Sequence, residues 1–375
     1  MIGVGRLFKS RSTRLIGWLL ALSPAVVLLI FFLASWSWPP DLSTPVSDFL
    51  VEYPIPDEDG KAFNIVAQNP GQVWFTLPTA NAIGSLVVTS TVDYRFDLYA
   101  IPTATSNPYD LVFDQARNVL WFTEHDANKL AYFDPASTIF TEYPITTNNS
   151  APTGIDLSPD GKVWFVEQDA NQLASFDPDS ELFQEFLYPV PNGALEDVAV
   201  SNPNSIWFTA PGVERVVRYV PDSDDFLSIP VNSGPGTDPF AAHKIVIGSN
   251  GHPWVTAPDM DKIGLLVPGT LTLWRWYNLP VANANVAGLA YSWEEELHHL
   301  WFTESGTGHV GLLVISASGN LVATRRHPLS SPSSMPVGIS VDSSEQVWVA
   351  EYEGEMIATW RPPYSYNTFL PTLFN

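Results

Sequence analysis

PTGIDLSPDGKVWFVEQDANQLASFD, residues 152 to 177, reads as three short β-strands joined by tight turns. GIDLS is a first strand, PDG a turn, VWFVE a second strand and QLASFD a third. A DPDS turn then leads into an outer strand, LFQEFLYP. The apolar residues alternate, and Gly, Pro, Asp and Asn punctuate the segment at hairpin positions. The tryptophan at its centre recurs. Trp74 (VWFTL), Trp121 (LWFTE), Trp164 (VWFVE), Trp207 (IWFTA), Trp254 (PWVTA), Trp301 (LWFTE) and Trp348 (VWVAE) are spaced by 47, 43, 43, 47, 47 and 47 residues. Seven copies of a four-stranded unit with a period near 45 predict a seven-bladed β-propeller of four-stranded blades, similar in unit length to kelch and WD40 repeats. No segment beyond the N-terminal apolar run has a convincing helical period, so the fold class is all-β.

A second mark follows each tryptophan by seven residues, in the pattern N-x-[IL]-[GA]. Asn81, Asn128 and Asn171 carry it, Asp261 replaces Asn in the fifth unit, and Glu214, Gly308 and Glu355 stand at that position in the others. The small residues Gly84, Ala131, Ala174, Gly264, Gly311 and Ala358 suit strands crowded near a central channel. Both chain ends fit the outer edge of the seventh blade. Residues 49–55, FLVEYPI, precede Trp74 as TEYPI precedes Trp164, and NTFLP at 367–371 follows Trp348 as FTEYP follows Trp121. We expect residues 49–54 to close the ring, because an N-terminal strand ties the ends together and leaves no open edge.

The first fourteen residues hold Arg6, Lys9, Arg11 and Arg14, and no acid precedes Asp41. Residues 15–36, LIGWLLALSPAVVLLIFFLASW, are an uncharged run of 22, long enough to span a bilayer core that needs about 20. With bases before it and none closely after, the positive-inside rule leaves residues 1–14 in the cytoplasm and the propeller outside. The rival reading is a cleaved signal peptide, but the run exceeds the usual ~7 to 15 residues and no clear A-x-A site follows. Residues 37–47, with PPDLSTPV inside them, form a stiff spacer, and 48–375 the propeller. Outside the basic segment 13 bases face 40 acids, so nucleic acid is not a partner. The expected partners are the membrane, through 15–36, and a small molecule, peptide or protein at a propeller mouth, with the chain a monomer. Cysteine is absent, which excludes disulfides and thiolate metal sites.

Residues 152–177 resemble the repeat of the streptogramin B (virginiamycin B) lyases: P-x-G-I, then D-G, then WFTE, then N-x-IG. The repeat recurs at 107–134 and 336–358, with weaker copies over nearly all of 49–371. The resemblance implies a magnesium-dependent carbon-oxygen lyase that opens a cyclic depsipeptide ester by elimination. A base would take the proton alpha to a carbonyl and a cation would stabilise the enolate. In that family the groups come from the variable position of P-x-G-I in adjacent blades, two histidines, one preceded by glutamate, and then a tyrosine, with a glutamate after the last WF strand. Here the variable position reads Phe63, Tyr109, Thr153, Glu196, His243, Ala287 and Val337, and Met335 and Val337 replace the expected glutamate and histidine. Tyr109 and His243 match in type but lie in non-adjacent blades, and Glu351 or Glu353 matches the last-blade glutamate. The lyase set is therefore incomplete, which favours a membrane-tethered ligand-binding or interaction module, with the lyase as the alternative.

Further candidates come from the residues themselves. Glu124, Glu167, Glu304 and Glu351 stand three residues after their tryptophans, where strand ends at a channel mouth could bring carboxylates together around a hard cation or a ligand. With Tyr109 and His243 they form the predicted ligand-binding set, and His243, Tyr109 and Glu351 are the catalytic candidates. His298, His299 and His309 crowd the sixth blade beside Glu294, Glu295 and Glu296, but consecutive strand residues face opposite sides and the spacing is not a zinc motif. Trp274, Trp276 and Tyr277 on the fifth outer strand would stack on a sugar or partner, or pack on the next blade.

Overall fold

The computed structural model describes residues 50–360, apart from 57–59, 91–92, 233, 235–237, 268 and 271–272. The basic segment, the apolar run 15–36, the spacer 37–47 and NTFLP at 367–371 lie outside the described residues. Among the described residues no helix is long and apolar enough to cross a membrane.

Seven antiparallel four-stranded sheets follow one another as blades around a ring. In blade 3 the strands are Pro152–Leu157, Val163–Glu167, Gln172–Asp177 and Leu182–Leu187, as the sequence pattern predicts. The seventh sheet runs Pro336–Val341, Val347–Glu351, Met356–Trp360 and then Leu50–Pro54, with Glu52 opposite Ala358. Residues 50–54 thus supply the outer strand expected of them.

The repeat residues each have a packing role. All seven marker tryptophans are buried, and each joins the cluster its blade shares with the next. Trp348 packs with Val73 and Phe75, Trp74 with Phe113 and Leu120, and Trp121 with Ile155 and Phe165. A tryptophan covering roughly 200 Å² contributes on the order of 5 kcal/mol per interface, so seven nearly equivalent interfaces hold the ring. The mark seven residues on is a left-handed turn position in every blade, with φ between 49° and 64° at Asn81, Asn128, Asn171, Glu214, Asp261, Gly308 and Glu355. Asn is tolerated there, and its amide also clamps the loop to the next blade: Asn128 donates to the Thr147 carbonyl at 2.9 Å and accepts from the Ser150 N–H at 2.6 Å.

One expectation is corrected. The small third-strand residues do not line the channel, which the first strands line. They make room for aromatics of their own blade. A Cβ at Gly84 would stand 2.2 Å from the Phe75 ring, one at Gly311 2.0 Å from Phe302, and one at Gly264 2.4 Å from Trp276.

Candidate functional site at the P-x-G-I mouth

The first strands of all seven blades enclose an axial cavity of about 390 Å³, within the size range of small-molecule pockets. Its wall mixes apolar residues, Ile65, Leu111, Val198 and Ile245, with the polar Asp156 and Ser340. In blades 3, 6 and 7 the motif's glycine is obligatory, because a Cβ at Gly154, Gly288 or Gly338 would collide with the next blade at 2.2 to 2.7 Å. The other four blades place Asn64, Asp110, Asp197 and Lys244 at that position, and all four line the cavity.

Three of these residues meet across the ring. Lys244 Nζ lies 3.5 Å from Asp110 Oδ2 and 3.4 Å from Asp197 Oδ1. Burial alone would lower the Lys244 pKa, but the two carboxylates outweigh it and hold the ammonium charged. Asp197 is fixed in turn by the Ile245 N–H at 2.8 Å. Above this triad His243 Nδ1 lies 2.6 Å from Glu196 Oε2, joining the variable positions of blades 4 and 5. The Glu196 hydrogen bond raises the His243 pKa despite burial. Tyr109 is pushed up to about 12, chiefly by burial, so its phenol stays neutral. On the other side of the mouth stands a half-buried aromatic shelf. Phe63 lies 5.0 Å from Tyr109 and 6.1 Å from Tyr352, Tyr109 stacks on His125 at 5.8 Å, and Lys61 sits 5.2 Å over Tyr352.

The threonine of WFT holds this layer in place. Thr209 Oγ1 accepts from the Asp197 N–H at 3.1 Å and donates to the His243 carbonyl of the next blade at 2.7 Å. Thr123 and Thr303 repeat the donation to Thr153 and Val337. Each hydroxyl therefore fixes the variable residue one blade on.

Tyr109 and His243, though from non-adjacent blades, both belong to this mouth, and the Lys244 ammonium acts on both. The four second-strand glutamates do not converge. Glu124, Glu167, Glu304 and Glu351 are at most 1% exposed, each sharing a sheet face with the residue two before it and enclosed by its own blade. Glu304 pairs with Arg326 Nε at 2.9 Å on its blade's outer strand. Glu124 and Glu167 are pushed up to about 8, and Glu351 to about 7, first by burial and then by Glu142, Glu185 and Glu52 respectively. Glu353 instead reaches solvent and pairs with Lys61 at 2.7 Å. The magnesium implied by the resemblance does not fit these residues: Met335, Val337 and Ala287 offer no ligand atoms, and Glu351 is sealed in its blade.

Asp110, Asp197 and Lys244 escape a reading confined to residue types known from the motif, and the signal that finds them is the departure from glycine after the variable position; Glu196 stands at the variable position itself. Trp274 and Trp276 pack against the preceding blade rather than the next, with indole N–H bonds to the Pro230 and Asn232 carbonyls at 2.9 and 2.7 Å.

Fold and site together define a seven-bladed β-propeller with a polar, aromatic-edged mouth. The virginiamycin B lyase family matches residues 114–231. A streptogramin B lyase structure superposes with a TM-score of 0.72 at 24% identity, covering 84% of this chain and 97% of the other. Virginiamycin B lyase from Staphylococcus aureus gives 0.71 at 24%, covering 83% and 98%. A catalytically inactive histidine-to-alanine variant of that lyase with quinupristin gives 0.71 at 23%, with the same coverage. No curated protein matches by sequence. The chain is a seven-bladed β-propeller similar to the virginiamycin B lyases.

Proposed function

We propose that this propeller is a ligand-binding module held outside the cell as a monomer by the apolar run 15–36, with the P-x-G-I mouth as its binding surface. The observation that carries the reading is that the mouth's ionisable groups are already paired. His243 is tied to Glu196 at 2.6 Å and Lys244 lies between Asp110 and Asp197, while Met335 and Val337 leave the last blade's P-x-G-I segment without a base or a metal ligand. The half-buried shelf of Phe63, Tyr109 and Tyr352 remains for an apolar or aromatic ligand, whose polar group would meet Glu196 and His243. The second reading, a carbon-oxygen lyase on cyclic peptide esters, is favoured by the same His243–Glu196 contact, since a carboxylate-oriented histidine is how such a base is built.

One experiment separates them. The full chain is incubated with a streptogramin B antibiotic, with and without magnesium, and its products are followed by mass spectrometry alongside a thermal-shift screen of aromatic peptides. The antibiotic should stay intact, and ligands that raise the melting temperature should lose their effect in Phe63→Ala and Tyr109→Ala. Linearisation abolished by His243→Ala would establish the lyase instead. For the anchor, the full chain should fractionate with membranes and resist carbonate, whereas a soluble form beginning near residue 39 would mean a cleaved signal.

A further inference from the structure

On the ring face opposite the P-x-G-I mouth, blade 6 extends a long hairpin, Val286–Glu294 and Leu297–Glu304. Its two-residue turn is Glu295 and Glu296, both at positive φ (49° and 65°). Ser292 pairs with His299 and Glu294 with Leu297, so Ser292, Glu294 and His299 share one sheet face. His298 takes the other face, against Trp293 at 4.4 Å. From blade 7, Glu345 reaches the first of these faces out of the turn between its first two strands, and Ser292 Oγ donates to its Oε2 at 2.8 Å. One ligand atom each from Glu294, His299 and Glu345 lies within 4.8 Å of the others.

We propose that Glu294, His299 and Glu345 bind a divalent transition-metal ion of the zinc class at the seam between blades 6 and 7. One imidazole nitrogen and two carboxylate oxygens are a donor set for such an ion, and two negative charges match its charge. Three protein ligands leave the fourth tetrahedral position to water. Magnesium and calcium are disfavoured because they take all-oxygen shells. His299 is fully buried. Tetrahedral ligands about a zinc ion stand roughly 3.3 to 3.5 Å apart, so the ion would draw the three side chains inward by about an ångström and pin blade 6 to blade 7. The histidine pair in the sequence thus divides: only His299 serves, and its partners come from a turn some fifty residues on and from the hairpin's own end.

The test uses the full chain, stripped with a chelator and titrated with zinc sulfate and, as a spectroscopic probe, cobalt chloride. One equivalent should bind, with visible cobalt d–d absorption and a higher melting temperature in zinc, and magnesium should do neither. Glu294→Gln and Glu345→Gln should each weaken zinc binding tenfold or more, and His299→Ala should abolish it. If His299→Ala does not fold, Glu294→Gln decides, because that side chain reaches solvent. Absence of saturable zinc binding, or unchanged affinity in both glutamine variants, would overturn the proposal.

Discussion

Glu124 and Glu167 end strands whose outer neighbours bring a second carboxylate toward them, Glu142 and Glu185. A carboxyl whose folded pKa is raised binds its proton more tightly folded than unfolded, so its contribution to stability is lost as pH rises. With an ordinary value of 4.5 and folded values of about 8, 8 and 7 for Glu124, Glu167 and Glu351, the loss falls between about pH 4.5 and 8. His243, also raised, acts in the same direction, since its stabilisation is present in acid and lost as pH rises through its folded pKa. The melting temperature should therefore fall between pH 5 and pH 8.5. Glu124→Gln should raise it by about 2–5 °C at pH 8 and leave it nearly unchanged at pH 5. A wild-type melting temperature that climbs with pH across this range in scanning calorimetry would contradict the account.

At the scale of the blade, the same second-strand position is solved differently in blade 6. Its outer strand, Leu321–Pro328, supplies Arg326 where blades 2, 3 and 7 supply glutamate. The guanidinium spans both Glu304 oxygens, 2.9 Å from Nε to Oε1, and the carboxylate is wholly buried. Removing one member of such a pair costs more than the pair contributes, because a buried charge is left without its partner. Arg326→Ala should lose about 3 kcal/mol in urea denaturation, and Arg326→Ala with Glu304→Gln should recover part of that. A single-variant loss below about 1 kcal/mol would show that water reaches Glu304 and screens it.

For the whole molecule, the covalent gap in the ring lies in blade 7, where the strand from Leu50 to Pro54 completes the sheet begun by residues 336–360. That strand also carries Tyr53, buried in the cluster with Trp348 and Phe75, so it seals an interface as well as a sheet edge. Deleting residues 47–56 should lower the melting temperature by more than about 10 °C, and deleting 366–375 by less than about 3 °C, since only the first removes the closing strand. Equal effects of the two deletions would refute this.

The seven tryptophans, the turn residues and the alternation of apolar positions were enough to specify blade number and strand order within a blade, because each reflects contacts within a unit or between neighbours; they left two candidates for the closing strand, and the structure shows residues 50–54 in that place. The left-handed turn mark was legible for the same reason: Asn or Asp in four copies records a local backbone need. The site was only half legible. Tyr109 and His243 stood out by type, but what they face depends on which side chains ring closure brings together, and Lys244 meets Asp110 and Asp197 only because blades 2, 4 and 5 converge on one axis. The second-strand glutamates read as carboxylates gathered at a channel mouth because sequence gives a residue's place on its strand but not what encloses it. Tertiary structure decided that these carboxyls are buried, that the small third-strand residues make room for rings, and that His299 finds Glu345 across a blade seam. The last follows from the distance between segments far apart in the chain and the first two from side-chain packing within a blade, neither of which a repeat pattern encodes.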